Sequence, residues 1–269
     1  MKDLQFYNEV LKLLSGNGNS VDANFPFIHF VEKKLTIHFV PLADYAENPY
    51  YFQSLSEEYE KKQIQLIHLW EDVWRTQQAM VLSRIRSLLG NFERIHARQT
   101  IVKTIDKPTL QDFLQKNHLQ GSPQVKYKYG LFYSDKLVAV ASFSASRPMQ
   151  RNEIIFNSYE LVRFANLSEH VVTGGLSKLF SQFISDVQPD DIMTYADRDW
   201  STGRSYEKLG FTFVENTAPQ LFFIHPQELV RYYPQRLPQG ATEEDLFKKG
   251  YLRIYNTGNK KYLKLLKAF

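Results

Sequence analysis

Five groups of residues in this 269-residue chain have the types and spacing to do chemistry. The first is Val171-Val172-Thr173-Gly174-Gly175-Leu176-Ser177-Lys178, small residues that open an apolar-periodic helical stretch. Backbone N–H groups at such a helix start can meet an anion, and the helix dipole adds to the attraction. A pyrophosphate or similar group fits there, held by Thr173, Gly174, Gly175, Leu176, Ser177 and Lys178; the plain alternative is a tight turn that needs glycine for φ > 0. The second group runs Tyr195-Ala196-Asp197-Arg198-Asp199-Trp200-Ser201 and on to Tyr206-Glu207-Lys208-Leu209-Gly210-Phe211. A strand that ends in two carboxylates, an Arg and a Trp marks the edge where α/β folds place their sites. Asp197 or Asp199 is then a candidate general base, Tyr206 a candidate general acid, and Arg198 and Trp200 candidate substrate contacts. A surface salt-bridge cluster explains the same residues without function.

The remaining groups are less specific. His68, His96 and His118 show neither His-x-x-x-His nor His-Glu-x-x-His spacing, so no metal site is expected. His29 and His38 lie in strand patterns and read as structural. His118, beside Gln120 and Gly121 at a helix end, is either a substrate contact or a helix-capping imidazolium. Lys248, Lys249, Arg253, Lys260, Lys261, Lys264 and Lys267 alternate with Tyr251, Tyr255 and Tyr262, a pattern that neutralises phosphates and stacks on bases. Arg84, Arg86, Arg94 and Arg98 extend that surface on this reading. Arg231-Tyr232-Tyr233-Pro234-Gln235-Arg236-Leu237-Pro238 reads as a strap bent by its prolines.

Elements that position these residues follow from periodicity. An amphipathic helix (Leu4, Val10, Leu11, Leu14) ends in the turn-rich Gly16-Asn17-Gly18-Asn19-Ser20, and Phe27–Val31 with Leu35–Val40 reads as a hairpin. A polar helix over 51–62, a strand at Ile64–Leu69 and a helix from Thr76 to Leu89 complete a small α/β unit. From Thr100 the order becomes β-α-β-β-β-α-β-α-β-β: Thr100–Ile105, a helix opened by Pro108, Tyr127–Tyr133, Leu137–Phe143, Tyr159–Asn166, a helix from Gly175 to Val187, Asp191–Tyr195, a helix over Arg204–Leu209, Phe211–Val214 and Leu221–Ile224. Arg163 sits on the strand expected to face the glycine turn, where it is a candidate contact for acceptor or phosphate.

Composition bounds the answer. Apolar residues make up 43% and aromatics 14%, enough for a core and too many for a disordered or collagenous chain. The absence of cysteine excludes disulfides, thiolate metal sites and a Cys nucleophile. No apolar run reaches the roughly 18–20 residues that span a bilayer and the start does not read as a signal peptide, so a cytoplasmic protein without a membrane partner is expected. Residues 1–99 carry net −1, residues 100–247 net −2, and the last 22 residues net +7. That local basic block suggests a polyanion partner.

The glycine turn, the element order and Ser205-Tyr206-Glu207-Lys208-Leu209-Gly210-Phe211 resemble the GCN5-related N-acetyltransferase fold. The resemblance implies that Gly174 to Lys178 cradle the pyrophosphate of acetyl-CoA or another acyl-CoA and that Tyr206 protonates the departing thiolate. Val172 stands where that family usually has Gln or Arg. A longer set of motifs is similar to a phage and mobile-element family that joins a very-short-patch-repair-type endonuclease segment to such a transferase-like domain. Those motifs are Ile64–Trp74, Arg94-Ile95-His96-Ala97-Arg98, Asn117-His118-Leu119-Gln120-Gly121, Tyr195–Gly203 and Gly250–Tyr262. His38 replaces the acid expected on its nuclease strand, and Leu55 falls near the expected Lys. The fold expected is therefore α/β: a degenerate nuclease-like α/β module over 1–98, an acetyltransferase-like mixed β-sheet flanked by helices over 99–225, and a basic, Tyr-rich extension over 226–269. The function implied is a DNA-associated acyltransferase-like enzyme that acts on an amine, plausibly of a nucleobase. The rivals are a non-catalytic DNA-binding protein and a metal-dependent endonuclease built on Asp44, Glu71 and Asp72.

Overall fold

Phe6, Tyr7, Val10 and Leu14 recur at helical spacing and are buried, which gives α1 (Lys2–Ser15) its inward face. The structure, a computed structural model, describes residues 2–15, 21–42, 48–151, 153–237 and 242–267; the glycine-rich turn expected at 16–20 and Asp44 lie outside them. β2 (Phe27–Phe30) and β3 (Leu35–Val40) pair antiparallel, as the hairpin pattern predicts, and β1 (Asp22–Asn24), which the pattern did not show, adds antiparallel to β2. After α2 (Tyr51–Lys61), β4 (Gln65–Trp70) joins β3 in parallel and sets His38 directly beside His68. α3 (Glu71–Leu89) starts five residues before the expected Thr76 and carries a kink at Gln77 (φ −139°, ψ 34°).

The next elements are β5 (Glu93–His96), β6 (Ile101–Thr104), α4 (Lys107–Asn117), β7 (Tyr127–Tyr133), β8 (Lys136–Phe143), β9 (Arg147–Arg151), β10 (Ile154–Asn166), β11 (His170–Thr173) and α5 (Gly175–Val187). They lead to β12 (Asp191–Asp197), α6 (Arg204–Glu207), β13 (Thr212–Asn216), β14 (Leu221–Ile224), β15 (Arg231–Tyr232), α7 (Glu243–Lys248), β16 (Leu252–Tyr255) and β17 (Asn259–Leu265). Asp106 caps α4 by accepting from the Thr109 N–H at 2.9 Å, with Pro108 in the first turn.

The chain forms two compact units, one of residues 1–78, 196–203 and 216–260 and the other of 79–195, 204–215 and 261–269. They alternate along the chain, where the sequence suggested consecutive modules meeting at 98 and 225. The large mixed sheet runs β13-β17-β12-β10-β8-β7-β6, with β9 pairing on β10; β10 and β12 are parallel and the β6-β7-β8-β10 run is antiparallel. Leu221–Ile224 is a strand, but not the last one of that sheet. It pairs with β15 and β16 in a separate three-stranded sheet, and β17 from the basic tail enters the large sheet between β12 and β13.

Helices cover both faces of the large sheet. On one, Phe143 of β8 stacks on Phe183 of α5 with centroids 3.9 Å apart. On the other, Leu110, Phe113 and Leu114 of α4 pack with Val140 and Ala165. In the other unit a second core joins Val40, Phe52 and Trp70 to Phe222, Ile224 and Ile254.

Candidate functional site

Two parallel strands separate inside the second unit. β10 and β12 pair only from Ser158↔Asp191 to Leu161↔Thr194. Past that point β10 bulges at Val162, its register on β8 shifting between Leu161 and Arg163, and it continues to Asn166 beside β8 alone. A bulge raises local twist and re-aims side chains, so the strands diverge there. The Thr194 hydroxyl marks the fork by donating to the Leu161 carbonyl at 2.9 Å.

β11 leads into α5 through Gly174, whose φ of +79° suits a residue without Cβ. Gly175 is required for a different reason: a Cβ there would lie 2.9 Å from Val172 Cβ and 3.2 Å from Leu131 Cδ1. No side chain caps α5, and its first intrahelical bond runs from the Lys178 N–H to Gly174 O at 3.0 Å. The N–H groups of Gly175, Leu176 and Ser177 thus form the anion-facing turn. One sequence expectation needs correction. The Lys178 N–H belongs to the helix, and its ammonium donates to the carbonyls of Ala97 (2.9 Å) and Thr100, so Lys178 is a tether and not a phosphate contact. Thr173 is in β11 paired with β5, opposite His96.

Tyr206 reaches the fork from α6. Its hydroxyl is hydrogen-bonded to the Thr194 side chain, which itself reaches the Leu161 carbonyl. Burial pushes its pKa up, against the opposing pull of Thr194 and the positive charges of Arg84 and Arg163, so the hydroxyl holds its proton at neutral pH. A run of ring contacts ties it to α5: Tyr206 to Phe211 at 5.9 Å and Phe211 to Phe180 at 5.3 Å.

The α4 side of the sheet supplies the other groups. Tyr159 packs on Phe183 of α5 (5.5 Å), so alternation turns Glu160 to the opposite face. Burial raises the pKa of Glu160, with Arg147 and Arg163 opposing. His118 follows α4 as its C-cap, and its Nδ1 accepts from the Gln120 N–H at 3.2 Å. Burial, then the charges of Arg163 and Arg84, lower its pKa to about 3. Because Nδ1 accepts from Gln120, the ring proton sits on Nε2, which speaks against the imidazolium cap expected as one alternative. Sequence reading missed Glu160 and Thr194 and assigned Arg84 to an outer basic surface, since no local pattern marks a strand fork.

Asp197, Arg198, Asp199 and Trp200 fall in the first unit, where they form internal structure. Asp197 Oδ1 accepts from the Asp199 N–H at 3.0 Å. Asp199 is 5% exposed, and its Oδ1 accepts from both the Thr257 N–H (3.0 Å) and the Thr257 hydroxyl. Burial raises its pKa against Thr257, Arg231 and Trp70. A general base must reach the proton it takes, so Asp199, enclosed and already hydrogen-bonded, is corrected to a structural acid. Arg198, its side chain 2% exposed, pairs with Glu57 at 3.2 Å, and the carbonyl of buried Trp200 accepts from Gln65. Arg231 of the expected strap makes a bidentate pair with Asp72 (2.6 and 2.9 Å) and lies 5.0 Å from the Trp70 ring.

The other candidate centres are also accounted for. Glu71 accepts from the Leu42 N–H and pairs with Arg75, and Asp72 is taken by Arg231, so neither carboxylate is arranged for a cation. Among the described residues no three His, Asp or Glu side chains cluster as metal ligands. His38 and His68 face each other Nδ1 to Nδ1 at 2.9 Å, with His68 Nε2 at 2.8 Å from Ser56 Oγ. In the tail Arg253 pairs with Glu243, Lys260 with Glu60 and Lys261 with Glu215, while Lys248 and Lys249 are exposed. No described helix is long and apolar enough to cross a membrane.

No family model matches the chain, and no curated protein does. Solved structures similar to it include a Bacillus subtilis acetyltransferase in complex with CoA (15% identity, 62% of this chain, 99% of that one, TM-score 0.39). Others are histone acetyltransferase HPA2 and related acetyltransferase from Corynebacterium glutamicum (16%, 64% and 98%, TM-score 0.38) and the ribosomal-protein-S18-alanine N-acetyltransferase from Escherichia coli (11%, 63% and 96%, TM-score 0.39). The likeness is weak, and the chemistry of the site rests on its geometry.

Proposed function

We propose that the second unit is an N-acyltransferase that takes its acyl group from a CoA-type donor and passes it to an amine. The observation that carries this reading is the fork of β10 and β12, with a protonated, half-buried tyrosine bonded at its apex and an uncapped glycine turn on the same face. The residues fit the donor. The N–H groups of Gly175, Leu176 and Ser177 would hold its phosphates, and Gly175 lets the turn pack closely on Val172 and Leu131, where a side chain would clash. Bound there, an acyl-CoA supplies a thioester whose carbonyl carbon an amine attacks, a C–N bond forming as the C–S bond breaks. Glu160, its pKa raised by burial, accepts the proton the amine loses. Tyr206 gives its proton to the departing sulfur and recovers one from solvent. The unpaired edge of β10 from Val162 onward offers backbone N–H to polarise the thioester carbonyl.

Thermal unfolding with acetyl-CoA tests this, with the free thiol CoA as control. At a hundred times its Kd a ligand stabilises by about 2.7 kcal/mol, several degrees of Tm for a chain of this size. That rise should vanish in Gly175→Trp; no rise in wild type at millimolar acetyl-CoA refutes the donor site. Nucleic-acid contact is a separate element of the proposal, supported by the exposed Lys248 and Lys249. Replacing both with Ala should flatten the slope of log affinity for duplex DNA against log salt by about 2. An unchanged slope would remove the tail from the account.

A further inference from the structure

Two tyrosines of the first unit, one from the expected strap and one from the basic tail, meet on a single carboxylate. β14 pairs with β15 through Phe223↔Tyr232 and Ile224↔Arg231, and with β16 through Phe223↔Arg253 and Ile224↔Leu252. Ile224, Leu252 and Arg231 lie on the core face with Trp70, so alternation turns Phe223 and Tyr232 to the outer face. There the ring of His225 meets that of Tyr251 with centroids 5.2 Å apart, and Tyr251 meets Tyr232 at 6.1 Å.

Local backbone geometry holds the rings in place. After His225 the chain turns back, the N–H groups of Glu228 and Leu229 both donating to the His225 carbonyl (3.1 and 2.9 Å). The Gln227 N–H donates to His225 Nδ1 at 3.3 Å and orients the imidazole. α7 ends with the Tyr251 N–H donating to the Leu246 carbonyl at 3.0 Å, through Gly250 at φ +84°, where a Cβ would come within 3.4 Å of His225 Nε2. Both tyrosine hydroxyls then donate to Glu228 Oε2, Tyr251 at 3.3 Å and Tyr232 at 3.5 Å. The three rings are half-buried and Glu228 is exposed. Among the described residues Glu228 has no cationic partner: Arg231 is taken by Asp72 and Arg253 by Glu243.

This combination suits a cation. Ring faces carry negative charge, and a carboxylate beside them adds to the pull on a cation and repels a phosphate. Oε2 already accepts from two hydroxyls, which leaves a guanidinium no free pair of oxygens for its two-pronged bond. A quaternary ammonium asks for none. It has no N–H to satisfy, and aromatic surface recognises its methylated charge directly.

We infer that the outer face of the β15-β14-β16 sheet binds a trimethylammonium group, its methyls against Tyr232, Tyr251 and His225 and its charge beside Glu228. The site lies wholly in the first unit and stands whether or not the second transfers acyl groups.

NMR of the His225 and tyrosine rings in the full chain tests this. Choline and the acetylated amide of trimethyllysine are titrated in turn, with dimethylbutanol, the uncharged carbon isostere of choline, and the amide of unmethylated lysine as controls. Saturable shifts are expected with choline, with trimethyllysine or with both, none with dimethylbutanol, and binding of lysine weaker by about tenfold or more. Choline alone marks a small-molecule ligand, and trimethyllysine alone a methylated protein. Glu228→Gln keeps the shape of the side chain and should weaken binding by about tenfold or more, the loss of roughly 1.4 kcal/mol. Tyr251→Leu should weaken it as far, with urea unfolding followed by tryptophan fluorescence to show that each variant is folded. No saturable shift with either cation overturns the inference. Equal binding of dimethylbutanol, or binding that Glu228→Gln leaves unchanged, overturns it too.

Discussion

Acidifying the protein from pH 7 to pH 5.5 should weaken the first unit through His38 and His68. Both rings are buried, 5% and 0% exposed, and share a proton between their Nδ1 atoms. Burial holds each at about 3, well below the ordinary 6.5, with His68 adding to the effect on His38 and the Arg198 charge adding to that on His68. The folded state therefore keeps them neutral through this window while the unfolded chain takes up protons. Because the folded values are depressed, the stability they carry is present above pH 6.5 and is lost as pH falls below it. Between pH 7 and 5.5 each ring should cost about 1.3 kcal/mol, so the pair costs about 2.5 kcal/mol. That sum depends on the unfolded pKa alone, since both folded values lie far below 5.5. All three tryptophans (Trp70, Trp74 and Trp200) belong to this unit, so urea titration followed by their fluorescence reads its unfolding. The double variant His38→Leu/His68→Leu provides the reference for the remaining histidines. The reasoning fails if wild type and double variant lose the same free energy over the window.

Three further outcomes follow from the same contacts. Tyr206→Phe should lower kcat for CoA release by about 10²–10⁴ while leaving the Kd for acetyl-CoA unchanged, measured by steady-state kinetics and calorimetry. Gly258 has φ +79°, and a Cβ there would lie 2.5 Å from the Thr217 carbonyl; Gly258→Ala should destabilise the first unit by about 2 kcal/mol or more in urea. Asp72→Leu or Arg231→Leu alone should cost about 3–5 kcal/mol by stranding a buried charge, and the double variant less than either, as a double-mutant cycle will show.

What the sequence makes legible is what short-range chemistry dictates. The glycine turn is visible because Gly174 needs positive φ and Gly175 needs an absent Cβ, and α5 follows it over the expected Gly175–Val187. Tyr206 is visible through its spacing to Gly210 and Phe211. The rest depends on partners far along the chain. β17 enters the large sheet between β12 and β13, and nothing local in Asn259–Leu265 announces that pairing. Asp197 to Trp200 look like a site because they end a strand; Thr257 and Arg231, which account for Asp199, come from a later segment. The Val162 bulge reverses the face of Arg163, and strict alternation gives the wrong side. The basic tail has the charge of a solvated arm, yet Arg253, Lys260 and Lys261 each meet a carboxylate once the strands form.

The central claim is the donor cradle, and amide NMR tests it most directly. On titrating CoA into the full chain, the N–H resonances of Gly175, Leu176 and Ser177 should shift most, with smaller changes at Thr194 and Tyr206. Pantetheine, which lacks the pyrophosphate, should leave the three cradle amides in place. Shifts confined to other segments, or no shift at saturating CoA, would contradict the account.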